Sequence, residues 1–177
     1  MIIELTDDEY DTVESVTRDL IGDRERFVNE VDITRTPFEK FLEGHLAEMA
    51  CYKFFKKPKN EWVNLKIIPD KGWDLKHLGY KWQIKGTKFS NGNLCIEQHA
   101  SPKKGKVDYI VLVLGEDDGI GYKWNIYGYI DIDTYLEHKY LKKFNSVMAK
   151  AWTVDKNHFL PIKSFIENLN PSKSFFY

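Results

Sequence analysis

Glu48, Asp74, Gln83 and Lys85 are the residues whose types and spacing could do chemistry together. Glu48 falls on the line Phe41, His45, Glu48, Tyr52, Phe55, which runs down one side of a helix at about 100° per residue. Burying a carboxylate is costly unless it is paired or holds a metal. Either Glu48 sits at the edge of this aromatic line and reaches water, or it has a partner. Asp74 follows Gly72-Trp73 in a stretch that reads as strand, where Asp is disfavoured. It is either a strand-end cap or a ligand. Gln83, Lys85 and Thr87 alternate with Trp82, Ile84 and Gly86, so the polar set lies on one face of a strand. Alone, that face would be a solvent face.

Taken together, the four residues suggest more. A tight hairpin turn at Leu78-Gly79 sets the strand of Asp74 beside the strand of Gln83 and Lys85. A preceding helix can lay Glu48 against the same end. Two carboxylates, an amide oxygen and an ammonium then converge. Hard oxygen ligands suit Mg²⁺, with Mn²⁺ as a substitute. A lysine beside such an ion can orient or deprotonate water and stabilise developing negative charge. This is equipment for hydrolysing a phosphodiester.

The pattern resembles the PD-(D/E)xK nuclease superfamily: a helical Glu, then Gly-x-Asp, then Gln-x-Lys nine positions on. Gly44 to Phe55 is similar to the catalytic helix of that family, and Gln83-Ile84-Lys85-Gly86-Thr87 to its core strand. Val107–Val113 and Tyr127–Ile130 look like later elements of its small members, including Mrr-like domains and nucleases of phages and archaeal viruses. The resemblance spans Glu43 to Ile132. It implies a restriction-endonuclease-like α/β core, with a mixed central sheet of about four to five strands flanked by helices. It also implies a Mg²⁺-dependent endodeoxyribonuclease leaving 5′-phosphate and 3′-hydroxyl ends. Asp74 would be the main metal ligand, with Gln83, the Ile84 carbonyl and Glu48 as further ligands, and Lys85 would position the attacking water. Two departures stand out. A neutral Gln83 replaces the usual acid, as in Mrr-like members. A literal Pro69-Asp70 also exists, 13 positions before Gln83, while Glu43 is the alternative helical acid.

The elements that must position these residues are legible in outline. Thr6-Asp7-Asp8-Glu9 has capping-box spacing and opens a helix to about Leu20, with a sparse stripe at Tyr10, Val13, Val16 and Leu20. A short helical stretch through Phe27 and Val31 follows. Thr36-Pro37 opens a strong helix that Lys56-Lys57-Pro58 stops near Phe55. Strands are expected at Gly72–His77, Tyr80–Lys88, Asn93–His99, Val107–Leu114 and Trp124–Ile132, the fourth apolar enough to be covered on both faces. Asp133 caps a helix from Thr134 to about Lys143, and Leu160-Pro161 opens the last. Residues 1–177 read as one domain, with 1–35 as an N-terminal helical extension.

Composition sets the outer limits. The 177 residues are 42% hydrophobic and 30% charged, which excludes a disordered chain and a collagen-like one. Two cysteines, Cys51 and Cys95, give neither a disulfide framework nor zinc spacing. No apolar run reaches membrane-span length and no signal peptide is visible, so the expected compartment is a reducing cytosol, which the resemblance implies is that of a bacterial, archaeal or virus-infected cell. The net charge of −1 hides an asymmetry: residues 1–50 hold 14 acids and 5 bases, residues 53–106 hold 13 bases and 4 acids. Lys53, Lys56, Lys57, Lys59, Lys88, Lys103, Lys104 and Lys106 are candidates for phosphate contacts, with salt-dependent binding of DNA. Trp73, Trp82 and Phe89 could stack bases, though core packing suits Trp82 better. The expected partners are DNA and a second copy in a homodimer, with no membrane and no small-molecule cofactor. Two other classes fit the same features. A nucleic-acid binder of this fold without catalysis would explain Gln83. A viral or phage interaction factor would explain the acidic first 50 residues.

Overall fold

The computed structural model describes residues 1–22, 36–67, 72–97, 100–116, 121–143 and 150–169. It is a mixed α/β structure. The expected short helix through Phe27 and Val31, Pro69-Asp70, and the aromatic tail 171–177 lie outside the described residues.

Both long helices begin where the sequence says they should. Helix α1 (Asp7–Ile21) opens on Thr6, whose hydroxyl accepts from the Glu9 N–H at 3.2 Å while the Glu9 carboxylate accepts from the Thr6 N–H at 2.7 Å. Helix α2 (Pro37–Phe54) repeats the device with Thr36 and Glu39. Each box satisfies two otherwise orphaned backbone donors. The buried residues of α1 are Val13, Thr17 and Ile21, so the stripe is narrow, as its sparse apolar residues require. In contrast, α2 is buried at Leu42, Glu43 and all of His45–Tyr52. Helix α3 (Lys59–Ile67) was not expected. Pro58, read as the stop for α2, also begins α3, since its carbonyl accepts from the Glu61 N–H at 3.0 Å.

Strand β1 (Ile2–Glu4) is an edge strand that the sequence did not reveal. The hairpin is as expected: β2 (Leu75–His77) and β3 (Tyr80–Thr87) pair antiparallel, and Leu78 and Gly79 both take positive φ, +52° and +86°. Strands β5 (Tyr109–Gly115) and β6 (Lys123–Asp131) complete a five-stranded sheet of order β1-β6-β5-β3-β2, in which only β3 and β5 run parallel. Several of the expected elements shift. Ladder pairing of β2 begins at Leu75, which leaves Asp74 just ahead of the strand. Strand β4 (Leu94–Glu97) forms, but in a second, three-stranded sheet, β4-β8-β7, with β7 (Tyr140–Lys143) and β8 (Lys150–Val154). The expected helix to Lys143 is split. Asp131, not Asp133, caps α4 (Ile132–His138), Lys139 turns extended, and β7 follows.

The large sheet separates two cores. On one face α1, α2, α3 and α5 (Ile162–Leu169) cover Trp82, Ile84, Val111 and Val113. On the other, β4, β8 and α4 cover Ile110, Leu112 and Leu114. Central β5 therefore buries both faces, as its apolar run predicts. Close contact between α2 and β3 depends on Gly86, where a Cβ would fall 2.5 Å from the Ala47 Cβ. The first 22 residues belong to this packing: β1 pairs with β6, and Val13 joins the helical core. No helix among the described residues is long and apolar enough to cross a membrane.

Candidate functional site

Pairing with β2 ends at Trp82 of β3, opposite Leu75, but β3 continues to Thr87, so among the described residues one edge of β3 is left open. Asp74 sits at the mouth of this notch. Its N–H donates to the Trp82 carbonyl at 2.8 Å, extending the ladder by one bond. Its Oδ2 then accepts from the Ile84 N–H at 2.8 Å, so a side chain takes over where the partner strand ends. This resolves the strand-breaking character of Asp at that position. In a strand, the N–H and C=O of one residue point to the same edge. The Ile84 carbonyl therefore opens onto the notch beside Asp74.

Glu48 approaches from α2. It is 7% exposed, so it is not the solvent-reaching edge residue that its place on the helix also allowed. Its Oε2 accepts from Trp62 Nε1 at 2.9 Å and pairs with Lys66 Nζ at 2.5 Å, both partners lying on α3. One helical turn on, Tyr52 donates its hydroxyl to the Asp74 carbonyl at 3.2 Å, fixing α2 against the notch.

The electrostatics tie these groups together. Burial raises the Asp74 pKa, and the charge of Glu48 raises it further. Lys66, Lys85 and the Ile84 N–H pull it back, and it settles at about 6. Asp74 thus feels both the helical glutamate and the strand lysine. Gln83 and Lys85 lie on the face of β3 away from α2, both half-buried. Gln83 Oε1 is buried without a hydrogen-bond partner among the described residues. Such an oxygen costs about 1–3 kcal/mol unless something else satisfies it. An oxygen-seeking cation would, and the Asp74 and Glu48 carboxylates and the Ile84 carbonyl are oxygens of the kind that Mg²⁺ accepts. Among the described residues no three His, Cys, Asp or Glu side chains converge, so the set rests on two carboxylates and two neutral oxygens.

His45 was placed on the same helical line without a role. Thr17 spends its only proton on the Val13 carbonyl at 2.6 Å, so its oxygen must accept from the His45 Nδ1–H at 2.8 Å. Burial, reinforced by Lys66 and opposed by Asp74, lowers the imidazole pKa to about 3 and keeps it neutral. Trp62 packs edge-on at 5.6 Å.

Other sequence candidates are placed elsewhere. Glu43 is buried and its Oε1 accepts from the Lys88 N–H at 2.9 Å, tying α2 to the end of β3. Lys53, Lys57, Lys59 and Lys104 pair with Glu9, Glu61, Asp8 and Asp133 at 2.6–3.1 Å. Lys56, Lys103 and Lys106 are exposed, and Lys88 is half-buried with its ammonium 5.4 Å from the Phe89 ring centroid. Trp82 is wholly buried in the helical core, Trp73 packs on the second core, and Phe89 is exposed. Lys66 and Trp62 were missed. Their only signal is an i,i+4 spacing in a segment whose helix was not recognised. No protein-family model, no curated protein and no solved structure matches this chain.

Proposed function

We propose that this chain is a metal-dependent nuclease acting on DNA, built on a restriction-endonuclease-like core. The observation that supports this most is the notch itself. Asp74 lies in the fields of both Glu48 and Lys85 and accepts from the Ile84 N–H, and on the same strand the Gln83 side-chain oxygen has no hydrogen-bond partner among the described residues. Asp74, Gln83, Glu48 and the Ile84 carbonyl would hold Mg²⁺ or Mn²⁺. Bound there, the ion would supply charge neutralisation at the scissile phosphate and a more acidic water. Lys85 would position that water and face the developing charge. The exposed Lys56, Lys103 and Lys106, with Lys88, would meet backbone phosphates, which carries affinity but no sequence choice. Cutting both strands requires two sites, which a homodimer in the cytoplasm would provide.

A second reading is a nucleic-acid binder of the same fold without catalysis. Neutral Gln83 and the Glu48–Lys66 pair favour it, since both reduce the negative charge offered to a metal. The test is cleavage of plasmid, linear duplex and single-stranded DNA in Mg²⁺, Mn²⁺ or EDTA, for the wild type, Asp74→Ala and Lys85→Ala. Metal-dependent cutting lost in both variants is the expected result. Salt-sensitive binding without cutting selects the second reading, and neither cutting nor binding refutes both.

A further inference from the structure

The Glu48–Lys66 pair makes the charge at the notch unusual for a divalent-ion site. Among the described residues two carboxylates, Glu48 and Asp74, face two ammonium groups, Lys66 and Lys85, and these four formal charges cancel. Lys66 reaches in from the last turn of α3, is only 15% exposed at its side chain, and lies 5.9 Å from the Trp62 ring centroid. It holds the same Glu48 oxygen that Trp62 holds. A cation approaching Glu48 and Asp74 therefore meets a cation already there. A bulky guanidinium fork would be hard to move from such a place, but a lysine ammonium is a point charge on a flexible four-carbon stem.

We infer that Lys66 is a resident counter-ion: it holds Glu48 in the metal-free protein and must release it for a divalent cation to bind. The inference rests on the metal-site reading above and deepens it. The sequence position of Lys66 makes α3 the element that sets metal affinity. Once released, the ammonium remains within its own stem length of the notch, where a phosphate would supply the negative charge it has lost. The pair also gives the site a reason to stay intact without metal, because a buried Glu48 beside a half-buried Asp74 with no counter-charge would repel it.

The test uses the full chain and Mn²⁺ alone, with bound metal read from loss of the free-ion electron paramagnetic resonance signal. Wild type is compared with Lys66→Met and Lys66→Gln, each with and without Asp74→Asn. Removing one opposing unit charge at this range is expected to tighten Mn²⁺ at least about tenfold in both Lys66 variants, and Asp74→Asn is expected to abolish the gain. A wild type that binds Mn²⁺ with Lys66 variants equal to it or weaker overturns the counter-ion role and leaves the metal site standing. No binding in any form removes the metal site, and the counter-ion role with it. A second measurement needs no variant. In the wild type, saturating Mn²⁺ should raise acetylation of Lys66 by acetic anhydride several-fold, read by mass spectrometry. Unchanged or lower labelling overturns the inference even if both variants fail to fold.

Discussion

Replacing His45 by asparagine should change stability by an amount that depends on pH. Asparagine keeps a donor near the Nδ1 position for Thr17, so the hydroxyl partner is not orphaned, but it removes the titrating ring. The folded imidazole titrates at about 3 against an ordinary 6.5, because it is buried beside Lys66. Between those values the unfolded chain binds a proton that the folded chain refuses. Stability then falls as pH drops, at about 1.4 kcal/mol per pH unit, present in full above 6.5 and progressively lost below it. Asp74 acts in the opposite sense. Its folded value of about 6 exceeds the ordinary 3.8, so in that window the folded chain holds the extra proton and gains stability as pH drops. In the wild type these two slopes oppose each other between about pH 4 and 6. In His45→Asn the His45 slope is gone, so the variant gains on the wild type by about 2 kcal/mol between pH 6.5 and 4.5. Urea unfolding followed by tryptophan fluorescence, at half-unit steps from pH 4.5 to 7.5, measures this directly. A pH-independent difference between the two proteins would refute the neutral, buried His45. The mirror test is Asp74→Asn, in which acid destabilisation should become steeper than in the wild type.

Two further outcomes follow from packing and charge. Gly86→Ala puts a methyl 2.5 Å from the Ala47 Cβ and 3.2 Å from the Glu43 carbonyl, so α2 must retreat from β3; a loss of about 1–3 kcal/mol in denaturant titration is expected, and wild-type stability would show that the contact yields freely. Glu48→Ala leaves Lys66 buried without its carboxylate and should cost about 3–5 kcal/mol, while the double variant Glu48→Ala/Lys66→Met should recover most of it; a double variant no more stable than the single one would mean that the pair is not the source of the loss.

What could be read in the sequence divides along a physical line. Signals carried by adjacent residues were legible: the Thr6 capping box, the Thr36-Pro37 helix start, the Leu78-Gly79 turn, the apolar run of β5. Each is local chemistry that needs no partner elsewhere. The placement of Asp74 against β3 was also foreseeable, because a two-residue turn fixes the register of β2 on β3 and leaves few places for Asp74. Strands β1, β7 and β8 were not legible, because their residues gain order by pairing with β6 or with each other and not from their own alternation. The same holds for α3. Lys59–Ile67 has polar residues on most sides, and nothing within it says that Trp62 will be wholly buried. That becomes necessary only when Glu48, 14 positions earlier, is buried and must find donors. Burial of a carboxylate is therefore the link between the two segments. Glu48 needs a charged partner, the first helix after it supplies one, and the identity of that partner sets how much negative charge the notch can still offer to a metal.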